Sequence, residues 1–202
     1  MKKLLAVVLM AVALVAPSFA AEKGSMEIDG KLGILFSPTI KIEADGGESH
    51  SSDLDTTFSL GADFFYYVAN EIAVGAGLEY VFESEVKESN GFMKYGATNL
   101  FVQAKYDIAV QNDVINNIYP IVQLGYGINS VGGKDADYVD LENGLYWGIG
   151  LGTTIKENFI VELLYSFNYG TQKPKEVYPG EPDSADMTVK TFKLKVGYKF
   201  AI

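Results

Sequence analysis

The chain has 202 residues, a formal net charge of −10, one histidine and no cysteine. That length fits a single domain. The missing cysteine excludes disulfides and thiol chemistry, and the negative balance, with lysine as the only strong cation, excludes a nucleic-acid partner.

At the N-terminus Lys2 and Lys3 precede the apolar run from Leu4 to Val15, and Ser18 and Ala20 take the −3 and −1 positions of a small-residue cleavage site. Residues 1–20 therefore read as a secretory signal peptide, its run shorter than the ~20 residues of a spanning helix. Residues 21–202 form the mature domain. It is more acidic still, because the leader carries two of the lysines and none of the acids. Beyond the leader no apolar run suits a spanning helix, yet 21 Gly, 13 Tyr and 12 Phe accompany a single Trp. An exported chain of that composition points to all-β structure.

Strict alternation, which sends successive side chains to opposite faces of a strand, then recurs eight times. In 26–36, Met26, Ile28, Leu32, Ile34 and Phe36 oppose Glu27, Asp29, Lys31 and Gly33. In 58–68, Phe58, Leu60, Phe64 and Tyr66 oppose Ser59, Gly61, Asp63, Phe65 and Tyr67. In 72–83, Val74, Ala76, Leu78, Tyr80 and Phe82 oppose Gly75, Gly77, Glu79 and Glu83. In 98–108, Leu100, Val102, Ala104 and Tyr106 oppose Asn99, Phe101, Gln103, Lys105 and Asp107. The pattern continues through 121–129, with Val122 and Leu124 opposing Ile121 and Gln123, and through 145–155, with Trp147, Ile149 and Leu151 opposing Gly148, Gly150 and Gly152. In 159–169, Leu163 and Tyr165 oppose Ile160, Glu162 and Leu164; in 191–202, Phe192, Leu194, Val196, Tyr198 and Phe200 oppose Lys193, Lys195 and Lys199.

Strands of ~9–12 residues suit a tilted membrane crossing. Between them, 37–57, 84–95, 130–143 and 170–187 are long polar loops, whereas 69–71, 110–117 and 156–158 are shorter turns, so long loops gather at one end of an antiparallel meander. A soluble sandwich or lipocalin-type barrel also alternates, with its apolar face inside. Here the polar face is rich in glycine, which suits crowding in a narrow interior better than a solvated surface. The apolar face ends in aromatics at both levels: Phe36, Phe58, Phe82, Trp147, Tyr169 and Phe192 towards the long loops, and Tyr66, Tyr106, Phe159, Tyr198 and Phe200 towards the turns. Two aromatic girdles around an aliphatic belt define a transmembrane barrel, which must close to satisfy its backbone. The fold expected is all-β: a closed eight-stranded antiparallel up-and-down barrel, lipid outside and lysines inside.

These eight strands and the alternating last one, with Phe200 third from the end, resemble the small eight-stranded outer-membrane barrels: the OmpA membrane domain, OmpX and the opacity-type proteins. The resemblance implies a bacterial outer-membrane location. It also implies contact with the lipid bilayer and lipopolysaccharide, and recognition of the last strand by the barrel-assembly machinery. That strand ends on Ile202, where those barrels end in an aromatic. A monomer is expected, and no peptidoglycan-binding domain.

The inward parity collects Glu27, Asp29, Asp63, Glu79, Glu83, Asp107 and Glu162 with Lys31, Lys105, Lys193, Lys195 and Lys199. Buried charges are costly unless paired. Strand adjacency pairs Glu27, Asp29 and Glu162 with lysines of the last strand. His50 has only Ser49, Ser51, Ser52 and Asp53 as sequence neighbours, and Asp135, Asp137, Asp140 and Glu142 lack the glycine of a calcium loop. No catalytic, cofactor or metal residue is assigned, and no cofactor is expected. The reading is a structural or interaction barrel displaying four acidic loops over a salt-bridged plug. A small passive channel is the alternative, and a lipid-modifying enzyme the third choice.

Overall fold

Each of the eight alternating stretches forms a strand. The computed structural model describes residues 22–44, 49–87, 93–110, 114–175 and 184–201; the expected signal peptide at 1–20 and the terminal Ile202 lie outside them. In chain order the strands are β1 (Met26–Ala44), β2 (Ser49–Asp53), β3 (Thr57–Ala69), β4 (Ile72–Glu85), β5 (Lys94–Tyr106), β6 (Ile108–Ala109), β7 (Ile115–Gly132), β8 (Val139–Glu142), β9 (Gly144–Ile155), β10 (Phe159–Pro174) and β11 (Ala185–Ala201). Three short strands, β2, β6 and β8, attach to the sides of β1, β7 and β10. The eight long ones pair antiparallel in chain order, and β11 pairs with both β10 and β1, so the ring closes.

The faces are those of a membrane barrel. Leu32 and Val102 are 61 % and 62 % exposed, while Asp29 and Lys193, on the opposite parity, are 0 % and 1 % exposed. Large apolar side chains that cover a whole wall in this way need hydrocarbon around them. Shorter turns lie at one end of the strands and the longer connections at the other. Both aromatic girdles point outward as expected; Trp147 and Phe167 stack in the one towards the longer connections at 4.2 Å between centroids.

The long connections differ from expectation. Much of 37–57, 84–95, 130–143 and 170–187 is strand, and a 3₁₀ turn covers Lys134–Asp137. β1 alone has 19 residues, roughly 60 Å at ~3.3 Å each, well beyond the ~9–11 residues of a crossing. Past the girdle the polarity pattern inverts. In β1 the ladder with β11 shifts between Phe36 and Thr39, where Ser37 has a left-handed φ of 35°. Beyond that bulge Ile40 is buried in the barrel mouth, and on the facing stretch of β11 Met187 and Val189 are buried too, while Lys190 is exposed. A second irregularity between Val81 and Ser84 turns Glu83 outward, so it is exposed and does not join the interior charges as expected. Above the lipid, water takes over the outer face, and the extensions adopt the ordinary apolar-inside arrangement.

Depth along the outer wall therefore sets the cost of charge. Leu151→Lys, at mid-belt, is expected to destabilise by roughly 2–4 kcal/mol in urea titrations of vesicle-folded protein, and Thr188→Lys, above the girdle, by about 0–1 kcal/mol. Equal costs would contradict the assigned facing.

Candidate functional site

The lumen is where this sequence concentrates its chemistry. Lys31 on β1 stands at the centre of one cluster. Its Nζ donates to Asp63 Oδ2 and Glu162 Oε1, each at 2.7 Å, and lies 3.2 Å from Asp29 Oδ2. Tyr119 Oη donates to the same Glu162 oxygen at 2.9 Å. In a second cluster Glu79 on β4 takes both lysines of the closing strand, Lys193 at 2.6 Å and Lys195 at 2.8 Å. Ser59 Oγ and Asn99 Nδ2 donate to its two oxygens as well. In a third, Lys105 bonds to Glu27, and Tyr67 Oη donates to Asp107 Oδ2 at 2.6 Å and to Glu27 Oε2 at 3.1 Å.

The inward charges thus meet, but not with the partners that strand adjacency suggests. Glu162 and Lys195 are register partners on β10 and β11, yet Lys195 reaches Glu79 and Glu162 takes Lys31. Glu27 takes Lys105 of β5 rather than a lysine of β11. In a narrow closed ring every inward side chain points towards the axis. A four-carbon stem then carries its ammonium across the lumen as readily as along the wall.

The interior is also less polar than a salt-bridged plug. Phe65, Tyr67, Tyr119, Ile121, Ile160 and Leu164 form a buried apolar cluster. Lys105 Nζ sits 4.3 Å from the Phe65 ring centroid and 5.0 Å from that of Tyr119, within cation–π range. Glycine makes room for these rings: a Cβ at Gly152 would collide with Tyr119, and one at Gly77 with Phe101. That role was legible in the glycine runs; the aromatic filling was legible only as Phe and Tyr on the inward parity.

Across β5 and β7, Gln123 donates to Gln103 at 2.9 Å and accepts from Tyr146 at 2.7 Å. Above them lies an apolar stopper of Leu35, Ile40, Leu54, Val81, Tyr95 and Val189. Leu54 follows β2, is fully buried and bridges to Val86. Between stopper and Lys193 the free volume is about 10 Å³, space for about one water.

The remaining candidates lie outside the lumen core. His50 Nε2 is 3.1 Å from Ser52 Oγ, a local contact two residues apart on an exposed strand. On the acidic stretch, Glu142 pairs with Lys173 at 2.7 Å and Asp140 with Lys175 at 3.5 Å, half-exposed pairs worth about 0–1 kcal/mol each. Among the described residues no cluster of three His, Cys, Asp or Glu side chains is placed to hold a metal.

A closed ring of eight strands with an apolar outside and a charged inside defines a transmembrane β-barrel. The chain belongs to the outer membrane protein beta-barrel domain family, whose model matches residues 5–200, and it resides in the bacterial outer membrane. Among solved structures it resembles the outer membrane protein OprG of Pseudomonas aeruginosa (13 % identity, 91 % of this chain and 98 % of that one, TM-score 0.58). It also resembles the outer membrane protein AlkL, solved in lipid bilayers (15 % identity, 93 % and 94 %, TM-score 0.58), and Neisserial surface protein A (18 % identity, 88 % and 99 %, TM-score 0.51). At these identities the likeness is one of fold. No curated protein matches the chain.

The pairings rank the carboxylates. Glu79→Gln would strip two buried ammoniums of their shared counter-charge and is expected to cost about 3–5 kcal/mol in urea unfolding. Asp29→Asn should be neutral or stabilising. Neither Asp29 oxygen accepts a hydrogen bond, and Lys31 keeps Asp63 and Glu162. The reverse ranking would overturn the assigned pairs.

Proposed function

We propose that the barrel is a closed structural or interaction protein that displays its extracellular loops, with neither a conducting nor a catalytic lumen. The observation that carries this is the filled axis. Lys31 reaches β3 and β10, and Glu79 reaches β11, through fully buried ion pairs, and the apolar stopper around Leu54 lies over them. An eight-stranded barrel is only wide enough for its own side chains, and here they occupy it.

Display falls to the connections, in which acids outnumber lysines over 37–57, 130–143 and 170–187. Several rim acids are held by a neighbouring lysine, as in Glu85 with Lys94 at 3.2 Å. The rim therefore offers a patterned surface of both signs on strand extensions, within connections whose sequence is in acid excess. Lipopolysaccharide is the nearest partner such a rim meets, and divalent cations would bridge the acids to its phosphates. Turnover has little support: catalysis needs a base oriented by a third group, and the His50–Ser52 contact is a local one on an exposed strand.

Purified protein in planar bilayers should give little or no steady conductance, and Glu162→Ala should be less stable and leakier than the parent, because Lys31 loses one of its two hydrogen-bonded carboxylates. Steady, large openings from the parent protein would place the passive channel first.

A further inference from the structure

On the periplasmic half of the outer wall the lipid-facing surface is not flat. On adjacent strands β4 and β5 the outward positions Ala76 and Ala104 are small. They stand diagonally: Ala76 opposes Val102, and Ala104 opposes Val74. The flanking strands are bulky at the same levels, with Phe64 and Tyr66 of β3 on one side and Val122 and Leu124 of β7 on the other. The result is an open groove of about 680 Å³ along β4 and β5. That volume is within the roughly 300–1,000 Å³ of ligand sites.

What fills it follows from where it lies. Its lining is almost wholly apolar, and it sits inside the hydrocarbon belt. At its turn-side end are Tyr66 and, beyond Ala104, Tyr106, two members of the periplasmic girdle; Tyr106 Oη is anchored to Glu71 at 2.7 Å. We infer that this groove is a seat for one acyl chain of a diacyl phospholipid, held with its ester end at the Tyr66–Tyr106 level. Lipid tails are as apolar as leucine, so no hydrophobic gain distinguishes one lipid-facing surface from another. Dispersion does distinguish them: a flat wall touches a chain along one side, whereas a groove touches it along its floor and both walls. The seated chain therefore exchanges more slowly than its neighbours and survives extraction.

Native mass spectrometry of protein extracted from membranes in a mild detergent tests the seat. The parent should carry a single adduct of phospholipid mass. Ala104→Phe and Ala76→Phe, which fill the floor from the lipid side without entering the lumen, should lose it. Leu32→Phe, on the outward face of β1, should keep it. A heat-dependent shift on gels checks that every variant is folded. The seat is wrong if the parent carries no adduct, or if both filled variants keep it. It is equally wrong if the adduct has glycolipid mass, or if the groove is covered by a second copy, seen as a dimer that the filling variants abolish.

Discussion

Closure of the ring between β1 and β11 is the constraint from which the rest follows. In hydrocarbon no water satisfies a free N–H or C=O, and an open sheet would leave two strands' worth of them bare. The ladder from Glu27–Ala201 to Phe36–Phe192 removes that edge and continues above the bulge to Ala44–Ala185. Once the ring is shut, one parity of every strand faces lipid and the other faces an interior too narrow to hold bulk water. Apolar residues outside and compact, mutually satisfied residues inside are both consequences of that geometry.

The interior solves its problem by sharing. A buried ammonium without a counter-charge is strongly destabilising. Lys31 distributes its charge over three carboxylates, and Glu79 distributes its charge over two lysines. Aromatic rings fill the space between the clusters and face Lys105 with their π-surfaces. Lys31–Glu162, Lys105–Glu27 and the two Glu79 pairs join strands that are not neighbours, so they brace the ring as spokes. A rearrangement at one spoke leaves buried charges without their partners, which is strongly destabilising.

The alternation made the belt legible from sequence. Eight strands, their facing and both girdles follow from period-two patterning together with the length of a membrane crossing. Two things did not follow. The strand extensions are not legible as strands because the pattern changes meaning above the lipid. Met187 and Val189 alternate with Asp186, Thr188 and Lys190 as regularly as any belt residues do, but with the apolar parity now inward. A one-residue irregularity, at Ser37 and again near Glu83, is enough to exchange the faces, and neither carries a strong sequence mark. The ion-pair partners are not legible because sequence gives adjacency on the wall, whereas the lumen is crossed. Glu162 stands opposite Lys195 on the ladder and bonds to Lys31.

The proposed closed lumen is tested most directly by the reactivity of its amines. Folded protein in lipid vesicles is treated with a small acylating reagent, and modification of each lysine is read by mass spectrometry. Lys31, Lys105, Lys193 and Lys195 should remain unmodified until the barrel is unfolded, while Lys41, Lys173 and Lys175, each more than a third exposed at the side chain, react at once. Modification of the four interior lysines at the rate of those three would mean a water-filled passage and would contradict the account.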